Sequence, residues 1–187
     1  MSSAVKLFIW RDRSLFVSSV PVPQRGFTAA ADQLVVCLQG EVHVHTQHDG
    51  VVAGRTFLMR AGTAVDESQV DTVDLIGAAC YLNPIGQDYH VLKGFMTGRA
   101  DDVFVGHKQE QRIIERLRYI RDNPVGANEA YQILDELIIP PEMRDKVLYE
   151  FDPRIVRTLQ RIKETVRENV TIADLAEEVH LSESRLV

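Results

Sequence analysis

No stretch of this sequence approaches eighteen consecutive apolar residues, so none of it reads as a membrane-spanning helix. Its opening, MSSAVKLFIWRDRS, lacks the basic-then-apolar layout of a secretory signal. A cytoplasmic location is therefore expected. Cysteine is scarce as well. Cys37 in LVVCLQG and Cys80 in LIGAACYLN lie in apolar, strand-like runs. Reduced thiols in such runs behave as small buried hydrophobes. A redox-sensing pair needs a nearby cation to lower a thiol pKa, and neither run has one. Positive charge is also short: 21 Lys and Arg stand against 27 Asp and Glu, a net charge of −6. That argues against a surface built for non-specific nucleic-acid binding. Catalytic signatures are missing too. There is no GxGxxG, no phosphate-cradling glycine loop and no Ser/Cys–His pairing with motif support. The expectation is that this chain is not an enzyme and carries no cofactor.

Pattern is what the sequence has in quantity. Up to residue 83 it is strand-like. VKLFIW and SLFVSS flank RDR as in a hairpin, QLVVCLQ is β-branched, and EVHVHT alternates with period two. Asp49-Gly50 marks a turn, and RTFLMR and TVDLIGAACYL add strands. Many short strands with frequent turns point to a sandwich or small barrel. After residue 83 the period becomes helical. DYHVLKGFM reads as a short helix. QEQRIIERLRYIRDN carries Ile113, Leu117 and Ile120 on one stripe and ends at Asn123-Pro124. NEAYQILDELI repeats the pattern with Tyr131, Leu134 and Ile138, and IPPEMRD breaks it. The expected organisation is a β domain at 1–83, connector helices at 84–151 and an all-α unit at 152–187. The fold class is α+β.

The all-α unit opens with Asp152 as N-cap and Pro153 at N1. Ile155, Leu159, Ile162 and Val166 mark its buried face, and Asn169 its stop. Thr171 caps a second helix, and Asp174 stands at the capping-box position. Leu175, Ala176 and Val179 form the inner face of that helix. Leu181 plugs the turn, Ser182 caps a third helix with Glu183 near its positive end, and Leu186 faces inward. The pattern is helix, short turn, helix, and a generic αα-hairpin shares much of it.

These residues carry a resemblance. DPRIVRTLQRIKETVRENVTIADLAEEVHLSESRLV resembles the start of the DNA-binding domain of AraC-family transcriptional regulators. In that family the domain holds two helix-turn-helix motifs, and this chain matches the first. The resemblance implies that Ser184 and Val187 face the DNA groove, that Ser182 caps the recognition helix, and that Arg185 touches phosphate. It also implies that the chain stops inside that helix and by itself binds no specific operator, since a recognition helix needs several turns to reach base edges.

AraC-family regulators often carry an N-terminal cupin-like barrel that senses a ligand, and residues 26–65 resemble one. LVVCLQGEV resembles the cupin strand ending in Gly-Glu. GRTFLMRAGTAV has the spacing of the second cupin motif, with Gly54 and Gly62 in place. Arg60 stands where that motif has proline, and Val65 where it has histidine. The first motif's ligand positions fall on Gly26, Thr28 and Gln33. None of these supplies the family's metal ligands, so the resemblance implies that the usual cupin metal site is absent. It also implies a small, partly apolar effector among Thr28, Gln33, Val35, Cys37, Gln39 and Val65. His43, His45 and His48 in HVHTQH form a competing cluster. They read either as a weak metal site or as one wet face of a strand. If the alternation of the preceding strand runs through Gly40, His43 and His45 face the barrel. A bulge at Gly40 reverses that.

The resemblance assigns the connector helices to dimerisation, through Ile113, Leu117 and Ile120. The competing reading packs that stripe on the chain's own barrel. The function expected is a ligand-responsive, sequence-specific DNA-binding regulator. This chain would be mainly its effector-binding and homodimerising part, with DNA and a small molecule as partners and no membrane. The alternatives are a metal-dependent cupin enzyme built on the three histidines, and a regulator whose barrel binds a protein.

Overall fold

The computed structural model describes residues 4–21, 27–46, 50–65, 70–71, 76–83 and 87–141, then 154, 157–158, 161–162, 165, 170–182 and 184. Within them lie twelve strands and four helices. They divide into two compact units, Met1–Val147 and Leu148–Val187. The composition is mixed α+β, as expected. No described helix is long and apolar enough to cross a membrane.

The first unit is built on a seven-stranded antiparallel sheet. Its strands are β1 (Val5–Ile9), β2 (Ser14–Ser18), β4 (Gln33–Gln39), β7 (Thr56–Met59), β10 (Ile76–Tyr81), β11 (Met96–Ala100) and β12 (Val103–His107). Their order is β1-β2-β10-β4-β7-β12-β11. Two smaller sheets accompany it. β3 (Phe27–Thr28) pairs with β8 (Ala64–Val65), and β5 (Val42–Thr46) lies between β6 (Gly50–Gly54) and β9 (Val70–Asp71). Among the described residues the strands thus form three sheets and no single closed barrel. The shift of pattern at residue 83 is not a boundary of the fold. β11 and β12 lie beyond it and extend the same sheet as β7.

Three helices belong to this unit: α1 (Asp88–Phe95), between β10 and β11, and α2 (Glu110–Asp122) and α3 (Ala127–Ile138), after β12. Their apolar stripes close the main core. Leu34, Val36 and Leu38 of β4 and Leu15 and Val17 of β2 meet Leu92, Ile113, Ile114, Leu117, Ile120, Leu134 and Ile138 there. The dimer surface expected at Ile113, Leu117 and Ile120 is therefore corrected. These side chains are at most 1% exposed and pack inside their own unit. An amphipathic helix next to an apolar sheet face buries its stripe on that face first.

Polar anchors fix the helices to the β1–β2 hairpin. Lys6 Nζ donates to the carbonyls of Ile120 and Asn123, at 2.8 and 2.6 Å, and so satisfies the negative C-terminal end of α2. Trp10 Nε1 donates to the carbonyl of Ala127 at 3.2 Å. Arg13 grips Asp88 of α1 through two bonds of 2.7 and 2.8 Å, and Asp135 of α3 at 2.7 Å. A fourth anchor serves an irregularity in the sheet. The β10–β4 register jumps between Ile76 and Gly77 and skips Leu38. The carbonyl of Leu38 accepts instead from Nε and Nη2 of Arg118 on α2.

In the second unit α4 (Ile172–Glu178) is held at both ends. The N–H of Asp174 donates to Thr171 Oγ1 at 3.2 Å, and the N–H of Thr171 donates to Asp174 Oδ2 at 2.8 Å. This is the capping box that the sequence pattern places there. At the other end the N–H of Leu181 bonds the carbonyl of Ala176 and that of His180 the carbonyl of Glu177. His180 adopts φ 54°. These bonds form a Schellman stop, with histidine at the left-handed position that glycine usually takes. Leu175, Ala176 and Val179 are buried, whereas Ile162 is 43% exposed and not on a covered face. Asp152, Pro153, Ile155, Leu159, Val166, Asn169, Glu183 and Leu186 lie outside the described residues.

Candidate functional site

The residues expected to bind an effector gather on the second face of the main sheet. Alternation along β4 sends Leu34, Val36 and Leu38 to the helices and Gln33, Val35 and Cys37 the other way. The strand registers extend these residues into rows. One row runs Ile9, Ser14, Tyr81, Gln33, Met59, and another Leu7, Phe16, Ala79, Val35, Phe57, Val105. The two ends of the rows differ. At one end Cys37, Phe57, Met59, Val103 and Val105 pack with Ala29, with Val42 of β5 and with Val65 of β8 in a second apolar core. At the other end Leu7 and Ile9 are 59% and 74% exposed. The face is thus covered over half its width. Gln33, a buried amide, and Tyr81, half-buried, lie where cover gives way to solvent.

The structure therefore brings Gln33, Val35, Cys37 and Val65 to one side of the sheet. Thr28 and Gln39 are exposed. Burial pushes the Cys37 thiol up to about 12. It does the same to Cys80, which sits on the helix-facing side of the sheet. Both are free, buried thiols and poor nucleophiles at neutral pH.

Gly40 settles which way His43 points. Its φ of +85° breaks the alternation, a geometry that glycine adopts without a Cβ clash. Before it the odd-numbered residues face the second core. After it Val42 is buried in that core and His43 is exposed. His43 therefore faces away from the second core. His45 lies on the same strand, and His48 is outside the described residues. No described group of three or more His, Cys, Asp or Glu is placed to hold a metal. Gly54, which matches the second cupin motif, has a packing reason of its own. A Cβ there would meet Val105 Cγ1 at 2.6 Å.

A polar cluster at the start of α2 was not read from the sequence. Thr56 Oγ1 accepts from the N–H of His107 at 2.8 Å and donates to Glu110 Oε2 at 2.7 Å. The N–H of Gln109 donates to His107 Nδ1 at 3.0 Å, which assigns the imidazole proton to Nε2. Phe95 stacks on the ring at 5.4 Å. The available signal was the alternation in VFVGH, which ends on a buried histidine. Burial, aided by Lys108, lowers the His107 pKa to about 4. The unfolded chain takes up this proton near pH 6.5, the folded chain only near 4. Stability carried by neutral His107 is complete above 6.5 and is lost as pH falls through 4. By pH 4.5 the loss is on the order of 2 kcal/mol. His107→Asn keeps an acceptor for Gln109 and removes the titration. Urea unfolding from pH 7.5 to 4.5 is expected to show a drop smaller by that amount in the variant. Equal drops would contradict this assignment.

Of the residues expected to meet DNA, Ser182 and Ser184 are exposed, with their hydroxyls 3.2 Å apart. Arg185 and Val187 lie outside the described residues.

No protein-family model matches this chain, and no curated protein matches it. Among solved structures, the chain is similar to the crystal structure of protein NMB1881 from Neisseria meningitidis. The identity is 12%, the match covers 42% of this chain and 83% of that one, and the TM-score is 0.27.

Proposed function

We propose that this chain is the effector-binding part of a ligand-responsive, sequence-specific transcriptional regulator of the AraC type. The observation that carries the reading is the second face of the main sheet. Gln33, Val35 and Cys37 share it, apolar side chains surround one buried amide, and strands of the smaller sheets cover half of it. A small, partly apolar molecule with one group for an amide fits such a face. The second unit supports the DNA-binding half of the reading. Its helix is capped at both ends, and a tight turn leads directly to Ser182, as the entry to a recognition helix requires. Dimerisation, which pairs DNA domains on repeated half-sites, belongs to the same proposal. The metal-dependent enzyme draws no support from the exposed His43.

A thermal-shift screen of small organic molecules and of divalent transition metals tests this reading. An organic ligand at about one hundred times its Kd adds about 2.7 kcal/mol to stability. Gln33→Leu is expected to abolish that gain. Stabilisation by a transition metal, with no organic ligand found, would overturn the proposal.

A further inference from the structure

At one corner of the main sheet, three cations lie on two aromatic rings. The Arg60 guanidinium is 4.5 Å from the centre of the Tyr89 ring. The Lys93 ammonium and the Arg99 guanidinium are 5.2 and 5.5 Å from the centre of the Phe104 ring. The two rings meet edge to face, with centres 6.5 Å apart. Strand register explains the gathering. Leu58, Phe104 and Arg99 are cross-strand partners on β7, β12 and β11. α1 packs on β7 and β12 and adds Tyr89 and Lys93, four residues apart and so on one side of the helix. Tyr89 is buried and Phe104 half-buried, whereas all three cations are exposed. The rings thus form a floor and the charges a surface. A ring beneath a cation excludes water from one side of it and leaves its N–H groups turned to solvent on the other. Arg99 is partly answered by Asp102, in an exposed pair of 3.3 Å, and by the carbonyl of Asp101 at 2.6 Å. Arg60 and Lys93 have no ion pair or hydrogen bond among the described residues. Asp32, which could answer Arg60, gives its Oδ1 to the N–H of Ala61 instead. In a chain of net charge −6, this corner holds cations that nothing described neutralises.

We propose that this corner docks an extended, acidic segment of a partner protein, with carboxylates on Arg60 and Lys93. The arginine fork suits a carboxylate, which it can take through two parallel bonds. Spacing favours an extended segment. Side chains at every second residue of a strand lie on one face about 7 Å apart. The rings beneath Arg60 and Lys93 are 6.5 Å apart, so carboxylates at alternate positions meet one cation each. The two cations stand on different elements and different rings, so a small ion gains one contact where a segment gains several. A nucleic-acid strand binds by having many phosphates neutralised. Three cations, with Asp101 and Asp102 at one end and a net charge of −6 behind them, supply too little for that. Exposed charge pairs are weak and screened by salt, so the association is modest and salt-sensitive. The corner lies on the helix-covered side of the sheet, opposite Gln33. The inference rests on this surface and not on the regulator reading, and its failure leaves the effector test above intact.

Fluorescence anisotropy of labelled probes with the full chain tests it. The probes are a short serine peptide with glutamate at every second position, the same peptide with glutamine for glutamate, and an oligothymidine of equal charge. The glutamate peptide is expected to bind with a Kd below about 1 mM at low salt. Raising salt from about 0.05 to 0.2 M is expected to weaken it severalfold. The glutamine peptide is expected to bind at least about tenfold more weakly, and the oligothymidine no more tightly than the glutamate peptide. Arg60→Glu and Lys93→Glu are each expected to weaken the glutamate peptide about tenfold. Lys93→Gln removes the charge without reversing it and is expected to weaken binding about threefold with the melting temperature unchanged, which keeps the test valid if a glutamate variant folds poorly. Arg116→Glu alters net charge equally at an exposed position of α2 and is expected to change the Kd by less than about twofold. Equal binding of the two peptides, tighter binding of the oligothymidine, a loss in R116E as large as in K93E, no loss in K93Q, or no binding up to about 1 mM would each overturn the proposal.

Discussion

Replacing Arg13 by alanine is expected to destabilise the first unit by about 3–5 kcal/mol, the range for breaking a buried ion pair from one side. Arg13 lies between the two strands of the hairpin, and its guanidinium reaches α1 and α3. Its side chain is 5% exposed and that of Asp88 is 2% exposed. Burial alone would lower the arginine pKa. The bonds to Asp88 and Asp135 outweigh it and hold the pKa above the ordinary value. Asp88 has one further donor, the N–H of Asn83 at 3.1 Å. Removing Arg13 leaves the Asp88 carboxylate buried with that single neutral donor, while the Asp135 carboxylate is more open to water. The cost thus comes mainly from a stranded charge and only partly from lost packing on the Tyr131 ring, 5.7 Å away. Asp88→Asn in the R13A background should recover a large part of the loss, because it removes that charge. Urea unfolding of the natural chain and the two variants checks both statements. A loss under 1 kcal/mol for R13A, or no recovery in the double variant, would contradict this role for the network.

Leu117→Ala is expected to cost about 3 kcal/mol, within the usual range for a buried leucine. Leu117 is 0% exposed and touches the sheet-facing core through the middle of α2. Here the two readings of the α2 stripe separate. A core residue lowers the stability of each chain by the same amount at any protein concentration. An interface residue lowers it only where chains associate. Unfolding at two concentrations tenfold apart is expected to give the same loss for L117A. A loss seen only at the higher concentration would return the stripe to the dimer.

How much of this was legible in the sequence follows from the range of each interaction. The capping box of Thr171 and Asp174 spans three residues, and the helix start was readable from them alone. The helix stop is local too, and the turn before Leu181 was readable even though His180 takes the place of the usual glycine. Period two put Val35 and Cys37 on the face of Gln33, away from Leu34, Val36 and Leu38, but it put Gln39 there too, and Gln39 is exposed at the strand end. It could not say what Gly40 does to the phase, because both outcomes suit the same letters. The β11–β12 hairpin was missed because MTGRA has few apolar residues and sits at an exposed edge, where packing asks for none. The Arg13 network joins residues up to 122 positions apart, and nothing near Arg13 in the sequence announces it. The α2 stripe was read correctly as a stripe. Its partner was not legible, because an apolar face looks the same whether a sheet or a second subunit covers it.

Native mass spectrometry of the freshly purified chain tests the central claim, that the half-covered sheet face holds a small organic molecule. The expected result is a chain carrying an organic adduct of small-molecule mass and no metal, with the adduct lost in Gln33→Leu. A bare chain, or one transition metal retained per chain, would contradict it.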